Sequence, residues 1–232
     1  MGSLRKPRVS RARHPSSTTN LKDLVKSLEG HIRSLPFDTP EGGVEIFVHF
    51  LRLLDKWNTV YNLTSVRDPG LMVTRHIMDS LVVSPFLQGQ QVLDVGSGAG
   101  LPGIPLAIIN PDTEFTLLDS NQKKTRFMQQ AITELKLENV TVISQRIESF
   151  RPEQPFDTII ARAYSNMETL ITGTQNLLAV DAVILAMKGT YPMAELENIP
   201  DGYRIWKIEK LDVPGLNAER HLVLIKELLI DS

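Results

Sequence analysis

From Gln90 onward the chain alternates short β-rich runs with helical stretches, and no other feature constrains its fold as much. The expected strands are Gln91–Val95, Glu114–Asp119, Val140–Gln145, Phe156–Ala161 and Ala182–Lys188, then Tyr203–Val213 and Arg220–Glu227. Strands separated by helices pair in parallel, because a parallel connection needs a long crossover. The last two runs are too close for one, with Pro214-Gly215 between them, and should pair antiparallel. Before Gln90 the apolar period is helical: Leu21, Leu24, Val25 and Leu28, then Ile46, Phe47, Phe50, Leu51 and Leu54. Pro36, Pro40, Gly42 and Gly43 break it. The expectation is an α/β protein with three parts: a basic arm (1–19), a helical segment (20–88) and a mostly parallel sheet domain (89–232) that ends in an antiparallel pair.

Composition removes whole classes of chemistry. There is no cysteine among 232 residues, which excludes disulfides, thiol nucleophiles, iron–sulfur clusters and the common structural zinc sites. The five histidines (His14, His31, His49, His76, His221) show no helical metal-ligand spacing, so no metal is expected. No run approaches the roughly 18 apolar residues of a membrane span, and the basic start lacks the apolar stretch of a secretory signal. A cytoplasmic protein with no membrane partner is expected.

Charge is uneven. Arg5, Lys6, Arg8, Arg11 and Arg13 precede the first acid, Asp23; without them 20 basic groups face 27 acidic ones, a net of -7. An arm of this composition does not fold alone; it suits phosphate contacts on nucleic acid, an organelle transit segment or an inert leader. The acidic remainder argues against indiscriminate coating of nucleic acid and leaves room for a local basic pocket.

The sharpest motif is Leu93-Asp94-Val95-Gly96-Ser97-Gly98-Ala99-Gly100-Leu101-Pro102-Gly103, after an expected strand and opening a helix. Glycines there permit a tight turn and let a ligand approach the main chain, so Gly96 and Gly98 are candidate binding residues. Asp119, 23 residues after Gly96 at the end of the next strand, suits the hydroxyls of a ribose. Together they point to an adenosine-containing cofactor. Asp94, two residues before the first glycine, is ill suited to a pyrophosphate and well suited to a cationic ligand, which favours S-adenosylmethionine over NAD. The third strand leads into Arg146-Ile147-Glu148, where Ile147 can pack on adenine with Glu148 near its amine. The fourth ends in Ala161-Arg162-Ala163-Tyr164, where Arg162 suits the methionine carboxylate or a substrate phosphate. Lys188 at the end of the fifth strand has the same two readings.

Several segments together resemble the bacterial GidB/RsmG family: Trp57–Ser65, Arg75–Ser80, Asp94–Ile108, Leu117–Phe127, and the shorter pieces RIE at Arg146, ARA at Ala161, KG at Lys188 and ERHLV at Glu219. Their order and spacing match from roughly Asn20 to Lys226. The resemblance implies a Rossmann-like, S-adenosylmethionine-dependent methyltransferase acting on guanine N7 in small-subunit ribosomal RNA or its ribonucleoprotein particle. It implies cofactor contacts at Gly96, Leu101, Ile147, Glu148 and Arg162; Gly98 and Asp119 join them from the physical argument alone. A monomer is expected.

No catalytic side chain stands out, and the chemistry explains why. Guanine N7 offers an in-plane lone pair and carries no proton, so methyl transfer asks for alignment more than for a base. An unpaired, splayed-out guanine is the expected substrate form. Asn58, Asn62, Arg75 and His76 interrupt an apolar pattern and are candidates to hold it, against a structural role for each. Trp57 and Tyr61, four apart, read as helix core before stacking platform, and Lys123, Lys124 and Arg126 as a solvated face. Methylation of a small molecule or protein, NAD-dependent oxidoreduction and a catalytically silent RNA-binding module remain as alternatives.

Overall fold

A computed structural model describes residues 20–164 and 166–228; the expected basic arm lies outside them. The chain opens with α1 (Leu21–Ile32), started by Asn20, whose side chain accepts from the Lys22 N–H, and buried along Leu24, Leu28 and Ile32. α2 (Gly43–Tyr61) buries Phe47, Phe50, Leu51 and Leu54 and stops at Asn62, a residue in the left-handed region with φ 51°. A third helical passage is irregular. α3 (Pro69–Met72), capped by Asp68, runs into a π-helical turn (Val73–Met78) and then α4 (Asp79–Leu81). Such turns shift side chains off the regular helical spacing and recur at functional sites.

The sheet has seven strands in the order β3-β2-β1-β4-β5-β7-β6. They are β1 (Gln91–Val95), β2 (Glu114–Leu118), β3 (Val140–Ile143), β4 (Phe156–Arg162), β5 (Leu178–Lys188), β6 (Tyr203–Lys210) and β7 (His221–Glu227). β1 to β5 are parallel; β7 is antiparallel to both β5 and β6. The remaining helices are α5 (Gly103–Ile109), α6 (Gln122–Leu135), α7 (Met167–Thr174) and α8 (Met193–Leu196). The expected antiparallel pair is there, and β7 does more than expected by entering between β5 and β6.

Six strand ends differ from expectation; β4 runs on to Arg162, β6 stops at Lys210 and β7 starts at His221. β2 stops at Leu118 and β3 at Ile143, where the chain turns into loops, although the Asp119 N–H still bonds to Ile143 O at 3.2 Å. β5 starts four residues earlier than expected, before Asp181, whose φ of 61° marks an irregularity that interrupts the periodic signal.

Alternation along β1 divides the core. Val92 faces a cluster containing Leu28, Phe47, Leu54, Ile77 and Phe127, so the helical segment and one sheet face share one core. Leu93 and Val95 face the other cluster, with Ile159, Met167 and Ile171. The candidate residues therefore hang from a sheet packed on both faces.

Candidate active site

All the loops of interest leave the carboxyl ends of parallel strands, and the strand order reverses between β1 and β4, where α/β sheets open a crevice. β1 delivers the glycine loop. Gly96 turns it with φ 68°, and a Cβ there would meet only Tyr164 Cδ2, at 3.9 Å, so the main chain lies open to the crevice. Gly98 ties the loop to β2 by donating its N–H to Asp119 Oδ2 at 2.9 Å. The other oxygen, Oδ1, accepts from the Asn121 N–H at 2.8 Å, and Lys124 Nζ stands 3.7 Å from Oδ2. Asp119 is thus fixed in rotamer while each oxygen keeps a lone pair for a ligand hydroxyl.

A cavity of about 270 Å³ occupies this place, lined by Gly96, Asp119, Lys124, Ile147, Glu148 and Tyr164. Of the seven residues singled out in the sequence, four line it: Gly96, Asp119, Ile147 and Glu148. Gly98 supports it through Asp119. Leu101 does not reach it; its side chain is buried in the core beneath the loop. Arg162 lies on a second cavity, about 540 Å³, with Thr64, Arg75, His76, Asp79, Lys188 and Arg220. Among the described residues, Tyr164 is the one that lines both. It follows Ala163, held at φ 56°, a conformation that a non-glycine residue adopts at a cost of about 1–2 kcal/mol and that turns the chain back towards the crevice.

The second cavity is built by the irregular helix. Arg75, His76 and Asp79 leave the π-helical turn and its exit on one side. His76 is neutral: burial, with Arg162 nearby, pushes its pKa down from 6.5 to about 4. Its Nδ1 donates to Arg75 O at 2.9 Å, which leaves Nε2 to accept from the Thr64 hydroxyl at 2.9 Å. Asp79 bonds Arg220 Nε at 2.6 Å and Arg162 Nη1 at 3.5 Å. Lys188 is paired with Glu195 at 2.7 Å. Four cations thus face two carboxylates and a neutral imidazole, and the cavity favours an anionic guest.

Several sequence expectations change here. Asn58 is buried and spends its amide on Val66 O and the Thr64 N–H, and Asn62 caps α2 and holds Arg67, so neither faces the cavity. The Trp57 and Tyr61 rings lie 5.3 Å apart and tilted; Trp57 is edge-on to Phe127 at the core, whereas Tyr61 is exposed rather than core. Asp94 lines neither cavity. It is fully buried, with Oδ2 accepting from the Gly103 N–H at 2.8 Å and Oδ1 without a partner among the described residues. Burial raises its pKa to about 7. Its direct work is to fix the start of α5, and the argument that set it beside a cationic ligand loses its geometric basis. Tyr164, Asp79 and Arg220 were missed. The available signal was that each lay inside a segment singled out for other residues.

A family model described as rRNA small subunit methyltransferase G, GidB, matches residues 44–223. The chain belongs to the GidB family. The match begins in α2 and ends in β7, so it takes in every residue lining the two cavities. Among GidB relatives, the ribosomal RNA small subunit methyltransferase G of Idiomarina loihiensis is 46% identical over 204 residues, covering 88% of this chain and 99% of that one. That of Klebsiella pneumoniae is 50% identical over 179 residues, 77% of this chain and 86% of that one. Two solved structures share the fold at low identity. An S-adenosylmethionine-dependent methyltransferase from Aquifex aeolicus has a TM-score of 0.51 at 16% identity, covering 68% of this chain and 93% of that one. Magnesium protoporphyrin IX methyltransferase from Synechocystis has a TM-score of 0.52 at 16%, covering 77% and 97%. The sheet of this GidB protein is therefore that of the Rossmann-like methyltransferases.

Proposed function

We propose that this GidB-family protein transfers the methyl group of S-adenosylmethionine to N7 of one guanine in small-subunit ribosomal RNA. The observation that carries the reading is the pair of cavities divided by Tyr164: one with a ribose-suited carboxylate, the other anion-attracting. When bound, the cofactor would supply an electrophilic methyl on a sulfonium; as the N7 lone pair forms its bond to the methyl, the S–CH3 bond would break and its electron pair stay on sulfur as neutral S-adenosylhomocysteine, so no proton has to leave.

What the chain must do is hold, align and exclude water. Asp119 accepts the ribose hydroxyls, kept in place by Gly98 and Asn121. Ile147 packs on adenine, Glu148 faces its amine, and Gly96 admits the cofactor against the main chain. Leu101 supports the loop from the core. Arg162 lines the larger cavity, where it would serve the methionine carboxylate or a phosphate of the acceptor. Tyr164 offers a ring on the acceptor side, where a splayed base can stack. No side chain is asked to be a general base, and no metal is asked for. The reading carries with it a cytoplasmic monomer in which the helical segment, 20–88, and the sheet domain share the acceptor wall, while the sheet domain alone lines the cofactor site.

Methyl-labelled S-adenosylmethionine offered with under-methylated small subunits tests it. The reading expects label in ribosomal RNA. Label in protein or a small molecule alone overturns it.

A further inference from the structure

Glu195, on α8, uses its two oxygens differently. Oε2 accepts from Lys188 Nζ at 2.7 Å and from the Met167 N–H at 2.9 Å, so the carboxylate ties the end of β5 to the start of α7. Oε1 takes no hydrogen bond among the described residues, and it is not among the unpaired atoms buried there, which are Asp94 Oδ1 and His221 Nδ1. Glu195 lines the larger cavity, and Oε1 is the oxygen it has left to offer a guest. We propose that Glu195 selects guanine, accepting N1–H and N2–H of the splayed base at Oε1. This rests on the function proposed above and deepens it by naming the group that reads the base.

The chemistry of the four bases makes such a group selective. Guanine alone carries two donors side by side on its Watson–Crick edge; adenine and cytosine set one donor beside one acceptor, and uracil sets one donor between two carbonyls. A carboxylate only accepts, with about two lone-pair sites on each oxygen, so Oε1 can take both donors of one base. The other carboxylate on the cavity is not free: Asp79 gives Oδ1 to Arg220 and Oδ2 to Arg162 and is 3% exposed. His76 Nε2 is taken by the Thr64 hydroxyl. Arg75, Arg162, Lys188 and Arg220 can only donate, which suits phosphates, the methionine carboxylate or guanine O6 and leaves the N1–H and N2–H edge to Glu195. Of these four cations, Arg75 is exposed and has no side-chain partner among the described residues. Met167, whose N–H holds Glu195, closely follows Tyr164 in the chain, so the acceptor oxygen is anchored near the ring on which a base can stack. N1 and N2 lie on the six-membered ring and N7 on the five-membered one, so a base gripped at Oε1 leaves N7 free for the methyl. Methyl transfer makes the purine cationic and its N1–H a stronger donor, so the bond to Oε1 tightens in the transition state.

The test uses the full chain, the variants Glu195→Gln and Glu195→Asp, and small subunits reconstituted with guanine or inosine at the target position. Inosine keeps N7, O6 and N1–H and lacks the N2 amino group. For the wild type, inosine should lower kcat/KM about ten-fold, as expected for one lost hydrogen bond to a charged group. Glu195→Gln should lower kcat/KM on guanine about a hundred-fold and treat guanine and inosine nearly alike, with affinity for S-adenosylhomocysteine unchanged. A role confined to holding Lys188 and α7 would instead lower both substrates equally and keep the preference for guanine, and that result overturns the proposal. A wild type that does not distinguish inosine from guanine overturns it too. If Glu195→Gln does not fold, Glu195→Asp decides: it keeps a charge for Lys188, draws the oxygen back by one methylene and should lose most of the preference, whereas a preserved preference contradicts the proposal. If the wild type labels no RNA, the proposed function fails, and guanosine and inosine 5′-monophosphate read the grip directly. The guanine nucleotide should then raise Tm more, and Glu195→Gln should erase the difference; equal shifts in the wild type would overturn the grip itself.

Discussion

The backbone N–H of Gly98 donates to Asp119 Oδ2 at 2.9 Å, so the glycine loop after β1 and the acid after β2 hold each other in place. The bond joins the two halves of the proposed ribose site before any ligand arrives. Asp119→Asn removes the charge and one acceptor from that joint. Its affinity for S-adenosylhomocysteine, measured by calorimetry, should fall roughly ten- to a hundred-fold, the range for hydrogen bonds to a charged group. An unchanged Kd would remove Asp119 from the site.

Tyr164 lines both cavities, and its ring carbon Cδ2 is what a Cβ at Gly96 would meet. Tyr164→Phe should therefore keep kcat within a few-fold, while Tyr164→Ala should lower kcat by ten-fold or more, as expected when a base loses a stacking partner worth about 1–3 kcal/mol. Steady-state kinetics with RNA saturating reads the difference. Equal losses in both variants would mean that the hydroxyl matters instead.

Two glycines of one loop should fail in different ways. A methyl at Gly103 would run into the Leu117 side chain and stand 2.8 Å from Asp94 Oδ2, so Gly103→Ala should lower stability by about 1–3 kcal/mol, seen as a lower Tm. Gly96 has open space around it, with a positive φ. Gly96→Ala should cost about 1 kcal/mol of stability and lower cofactor affinity further, because its methyl enters the cavity.

Two buried groups give opposite pH dependences of stability. His76 titrates near 4 when folded and 6.5 when free, so the unfolded chain takes up the proton first. Its contribution is full above 6.5 and drains as pH falls towards 4. Asp94 is raised from 3.8 to about 7, and the folded chain keeps the proton longer. Its contribution is full below 3.8 and is lost as pH rises towards 7. Thermal melts between pH 4 and 7 should show His76→Gln losing less stability on acidification than the wild type. Asp94→Asn should lose less as pH rises. The reverse pattern in either variant would contradict the assignment of its charge state.

The sheet was readable because each strand and helix carried its own period, and even the antiparallel end followed from a loop too short for a crossover. The proposed cofactor side was readable for the same reason: Gly96 and Asp119 directly follow β1 and β2, and Ile147 and Glu148 sit in the short turn after β3, so strand order gathers them. The acceptor side was not. Asp79 and Arg220 are 141 positions apart and meet only because β7 enters the sheet beside β5. The π-helical turn moves Arg75, His76 and Asp79 off regular spacing, and periodicity cannot anticipate that. Asp94 misled because a motif acid next to glycines looks ligand-facing, whereas its strand position points it into the core beside Gly103. Leu101 likewise sits in the loop by sequence and in the core by packing.

The most direct test is to map the methyl group. Small subunits lacking their own modification, incubated with the protein and S-adenosylmethionine, are reduced and treated with aniline, which breaks RNA at N7-methylguanosine. The account predicts one new cleavage, at a single guanine, absent without protein. Methylated RNA that aniline does not cleave would contradict it, placing the methyl group on an atom other than N7.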